Sequence, residues 1–189
     1  LAEELFGSWT SPAPYARVAD PFRATAPVVR TIETPDKANA VLVGGMTIPL
    51  WDRSPDYPAL LVAERILGGA TESRMFSVVR TKLGLSYGVG TWLDEGRLDE
   101  NSTFGVYAIY APQNLEKVRA AVAAEIAQAL EKGYTEEEVE NAKRALLEER
   151  KSARAQDAAV AGALVSQAFL GRTWAFSAGW NSVQVSGSL

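Results

Sequence analysis

Residues 73–92 read Ser73-Arg74-Met75-Phe76-Ser77-Val78-Val79-Arg80-Thr81-Lys82-Leu83-Gly84-Leu85-Ser86-Tyr87-Gly88-Val89-Gly90-Thr91-Trp92. In the first half Met75, Val78 and Val79 recur at helical spacing. Gly84 is a natural helix stop, because glycine enters the left-handed conformation without a Cβ clash. From Leu85 the pattern alternates: Leu85, Tyr87 and Val89 on one face, Ser86, Gly88 and Gly90 on the other. The spacing predicts a helix over 72–82 that delivers Arg80 near its C-terminal end. It also predicts a strand over 85–92 that presents Tyr87 just after the turn. Both side chains are expected on one open surface, within about 10 Å, a span of a few extended residues.

Outward from this stretch, the composition bounds the chemistry. The chain has 189 residues, 47% hydrophobic and 22% charged, about one domain in size and enough to bury a core. The net charge of -4, with no Lys/Arg cluster, argues against nucleic acid. No apolar run reaches the roughly 18 residues of a membrane span, so a soluble chain is expected. The compartment stays open between periplasm and cytoplasm. There is no cysteine and no histidine. Disulfides, thiolates, Ser-His triads and an imidazole-ligated zinc are therefore excluded.

Along the chain, residues 1–27 read as the end of a preceding helix, stopped by Gly7, plus a linker holding Pro12, Pro14, Pro21 and Pro27. Residues 28–189 read as one α/β domain. Strands are predicted at 28–32 and 38–48, the latter with a bulge or close approach at Gly44-Gly45. A helix opens at Asp56-Tyr57-Pro58 and ends at Gly68-Gly69. The Gly68-Gly69-Ala70-Thr71 loop lacks the lysine and the order of a P-loop, so it is read as a cap and turn. Asp94, Glu95, Asp99 and Glu100 lack EF-hand spacing and are read as a solvated hairpin loop. Residues 103–111 form a strand apolar on both faces, expected inside the sheet. A helix follows from Pro112 to about Lys132, its apolar face made by Leu115, Val118, Val122, Ile126 and Ala129. Thr135 and Glu138 form a capping box for a last helix that runs to about Leu170, exposed or bent over 148–157 and stopped by Gly171. The tail from Trp174 is weakly patterned, and the chain reads as cut at both ends from a longer polypeptide.

The ordered set Ser73-Arg74-Met75-Phe76, then Arg80 and Gly84-Leu85-Ser86-Tyr87, resembles the C-terminal type of domain in the insulinase (pitrilysin) family of zinc metallopeptidases. The mitochondrial processing peptidases and the core proteins of the respiratory cytochrome complex share that fold. The resemblance covers 38–180 well and 1–35 loosely. It implies a two-layer α/β (α+β) domain, a largely antiparallel sheet with helices on one face. It implies a non-catalytic, substrate-gripping domain, with peptide hydrolysis carried out by a His-x-x-Glu-His half on the same polypeptide or a partner subunit. No cofactor belongs to this chain, and zinc is expected in that partner half. The substrate would be an extended peptide, whose backbone Arg80 and Tyr87 would hold. Each residue also has a plainer reading: Arg80 as a helix-end cation paired with a carboxylate such as Glu64, Tyr87 as a packed aromatic. Trp92 is read as packing. The competing function is a structural or assembly domain of the same fold, without proteolysis.

Overall fold

The computed structural model describes residues 1–176. Three strands form one antiparallel sheet in the order β1-β3-β2: β1 Ala40–Ile48, β2 Gly88–Asp94 and β3 Ser102–Tyr110. β3 is central, as its doubly apolar pattern predicts, pairing Leu42 with Ala108 on one side and Val89 with Ala108 on the other. Among the described residues, helices cover one face of the sheet. Ala108, Tyr110 and Val89 are buried there against Leu67, Met75, Val79, Val118 and Val122. On the opposite face Val41 and Val43 of β1 and Tyr107 of β3 are exposed.

The helical layer begins with α2, Tyr57–Glu64, which carries Pro58 in its first turn and continues as a π-helical turn, Arg65–Gly69. A second π-helix, Phe76–Lys82, follows. Then come α3, Leu115–Lys132, after a short 3-10 turn, and α4, Glu136–Ala153. The Thr135–Glu138 capping box is formed in both directions. A second apolar cluster, Val62, Ile66 and Ala142, joins α2 to α4. α5, Asp157–Phe169, buries no residue, and the short α1, Ala2–Phe6, is exposed throughout.

Several expectations are corrected. Residues 28–32 form no strand; Val28, Val29 and Ile32 are exposed and no ladder bonds reach them. Gly44-Gly45 makes no bulge, since β1 keeps an unbroken register with Gly45 opposite Gly105. Gly105 is instead the close approach: a Cβ there would overlap the Trp92 indole. The helix from Tyr57 does end at the Gly68-Gly69 pair, its π-turn closing at Gly69, and Gly68 has a packing role besides. It is buried within the π-turn, and a Cβ would stand 2.7 Å from the Thr91 backbone nitrogen. The last helix is two, broken at 154–156, where the polar run offers no apolar face to hold it straight. Gly171 does take a left-handed φ of 62°. Gly7 does not; its φ is -61°. The acidic hairpin loop is tied down rather than merely solvated: Arg17 forks onto Asp99, and Glu95 pairs with Arg97. From residue 177 the expected tail lies outside the described residues.

Candidate functional site

The Arg80–Tyr87 rim is built by one helix, one turn and the entry to β2. Ser73 is buried at the helix start, and its hydroxyl accepts from the Phe76 N–H at 3.4 Å. Met75 and Val79, both fully buried, anchor the underside to the core. Arg74 fixes the helix sideways. Its guanidinium donates to both Glu138 oxygens, at 2.6 and 2.7 Å, and lies 4.8 Å from the Tyr134 ring centroid. Arg74 holds the Glu138 carboxyl far below its usual range, at about 2, with the Thr135 bonds helping.

The helix ends as the sequence predicts, though its last turns are π-helical. Leu83 N–H donates to Val78 O at 2.9 Å, Gly84 N–H to Arg80 O at 3.2 Å and Leu85 N–H to Val79 O at 3.0 Å. Three terminal carbonyls that would otherwise lack partners are thereby satisfied. Gly84 takes a φ of 61°, a conformation that strains any residue with a Cβ.

The strand begins later than its alternation suggests. The ladder starts at Gly88, and Leu85, Ser86 and Tyr87 form a bend before it. Ser86 is the cause. It is buried, and its hydroxyl lies 2.6 Å from Gly88 O and 2.9 Å from Ile109 O, pinning the chain to β3. The Tyr87 N–H also donates to Ile109 O, at 2.8 Å. With its backbone held on both sides, Tyr87 turns outward and is 76% exposed, whereas Val89 is buried at 3%.

Arg80 and Tyr87 are thus brought together on the surface. The Arg80 guanidinium carbon stands 5.7 Å from the Tyr87 ring centroid and 4.6 Å from that of Phe76. The pairing of Arg80 with Glu64 does not occur. Glu64 accepts from the Thr91 hydroxyl at 2.7 Å, and its partial burial raises its carboxyl pKa. Among the described residues no carboxylate pairs with Arg80. The rim therefore offers a fixed cation and a phenol to solvent, both hydrogen-bond donors. Phe76 and Ser86 were missed as parts of this site. The signal for Phe76 was its spacing of four residues before Arg80.

With no histidine or cysteine, only carboxylates remain to hold a metal, and no group of three converges among the described residues. No helix among them is long and apolar enough to cross a membrane.

Solved structures with this fold include a peptidase M16 inactive domain from Pseudomonas fluorescens, 24% identical, with a TM-score of 0.69 over 80% of this chain and 35% of that one. A protease from Helicobacter pylori is 16% identical, with a TM-score of 0.71 over 82% of this chain and 37% of that one. A chain of complex III2 from Candida albicans is 16% identical, with a TM-score of 0.65 over 80% of this chain and 38% of that one. At such identity these establish the fold, and the chain spans little more than a third of their length. No curated protein matches the chain. The model of the peptidase M16 inactive domain matches residues 1–146, well over half the sequence, and the chain therefore belongs to that family.

Proposed function

We propose that this domain grips an extended peptide for hydrolysis by a zinc-bearing catalytic half, on the same polypeptide or on a partner subunit. The observation that carries the reading is the exposed Arg80–Tyr87 pair, 5.7 Å apart on a surface whose backbone is pinned on both sides. A guanidinium and a phenol donate to backbone carbonyls whatever the peptide's side chains. Such a grip contributes by positioning the scissile bond, and asks no acid-base chemistry of this half.

The test is steady-state peptide cleavage by the full-length protein. Arg80→Ala loses a charge-assisted hydrogen bond worth about 1.5–3 kcal/mol, an expected drop of roughly ten- to hundredfold in kcat/KM. Tyr87→Phe loses a neutral donor, about 0.5–1.5 kcal/mol. Wild-type kcat/KM in Arg80→Ala would reject the grip and favour an assembly domain of the same fold.

A further inference from the structure

Two arginines sit on the same helical stretch, each over an aromatic ring, and they are held in different ways. Arg74 stacks on Tyr134, but both oxygens of Glu138 take its donors. Arg80 lies over two rings, 4.6 Å from the Phe76 centroid and 5.7 Å from that of Tyr87, and among the described residues no carboxylate takes its donors. Phe76 is half-buried, four residues before Arg80 on the same helix. A carboxylate would fix a guanidinium only by occupying its N–H groups. A ring face fixes it through the quadrupole and leaves those groups open.

We infer that Phe76 is a positioning residue for Arg80, holding the guanidinium at the Tyr87 rim with its hydrogen-bond donors available to a ligand. The π-helix contributes to this arrangement, since π-turns displace side chains from α-helical register and recur at functional sites. The inference rests on the proposed grip for its consequence in cleavage, but the placement of Arg80 is measurable without it.

The first measurement is an NMR spectrum of the full-length protein labelled with 15N-arginine, the Arg80 Nε–Hε signal being assigned by its loss in Arg80→Lys. The wild-type proton is expected upfield from ring currents. Phe76→Tyr keeps that position, and Phe76→Leu moves the signal toward that of a freely rotating arginine. The second measurement is cleavage of a quenched fluorescent peptide. Phe76→Leu lowers kcat/KM about two- to fivefold, the scale of an exposed cation–π contact, and Phe76→Tyr stays within about twofold of wild type. In an Arg80→Ala background Phe76→Leu costs nothing further.

An Arg80 signal unmoved by Phe76→Leu overturns the inference. So does a loss of cleavage from Phe76→Leu that persists undiminished in the Arg80→Ala background, because Phe76 would then touch the peptide itself. If Phe76→Leu fails to fold, Phe76→Met serves with the same outcomes. If Arg80→Ala alone leaves cleavage unchanged the grip fails, and the NMR shift still decides whether Phe76 holds Arg80.

Discussion

Arg80 and Tyr87 meet on one surface because the residues between them turn the chain sharply. Gly84 supplies a φ of 61°, and nothing lies within 4 Å of where a Cβ would stand. Its role is therefore conformational rather than steric. Gly84→Ala is expected to lower the unfolding free energy by about 1 kcal/mol, the scale of a left-handed residue with a Cβ, as read from urea denaturation. An unchanged midpoint would mean that the turn relaxes freely. Gly84 was legible in the sequence because a lone glycine after a helical period has few other uses. The outward turn of Tyr87 was not. Strict alternation places Tyr87 beside Val89, and the phase breaks where the Ser86 hydroxyl lies within donating distance of Gly88 O and of Ile109 O from a distant strand, and the Tyr87 N–H donates to Ile109 O.

At the level of elements, apolar periodicity located β1, β3, α2 and α3, and the polar pair Thr135 and Glu138 located the start of α4. It did not reveal the two π-helical turns, because segments of 5 and 7 residues are too short for their apolar spacing to separate a π-helical from an α-helical period. Nor did it yield the Arg74–Glu138 bridge, which spans 64 residues. That bridge makes an acid-stability prediction. The Glu138 carboxyl is lowered from 4.5 to about 2 by the Arg74 guanidinium. A depressed carboxyl stabilises the fold fully above its unfolded pKa, and the contribution is lost as pH falls through the folded value. Wild-type stability should therefore decline between about pH 4.5 and pH 2, with part of that slope absent in Arg74→Met. Chemical denaturation across this pH range checks it, and equal slopes in the two proteins would contradict the bridge. At neutral pH the partly exposed pair is worth only about 1 kcal/mol.

For the whole molecule, the missing histidine was the most informative single count, since it excluded an imidazole-ligated zinc before any fold was known. The central place of β3 was legible in its two apolar faces, whereas a helical layer on one sheet face was implied only by the family resemblance. The stretch at 28–32 misled because β-branched residues favour strands only when a neighbour pairs with them, and here none does. Elemental analysis of this chain should find no tightly held zinc; one equivalent per chain would overturn the metal-free reading.

The central claim is that Arg80 and Tyr87 hold one peptide segment together. Its most direct test is a double-mutant cycle in the full-length protein, with kcat/KM and bound zinc measured for wild type, Arg80→Ala, Tyr87→Phe and the double mutant. Groups that share a ligand couple, so the double mutant should lose less than the sum of the single losses. Zinc content should be equal in all four proteins, because the proposed function puts the metal in the other half. Strictly additive losses, or zinc that falls in step with activity, would contradict the shared grip.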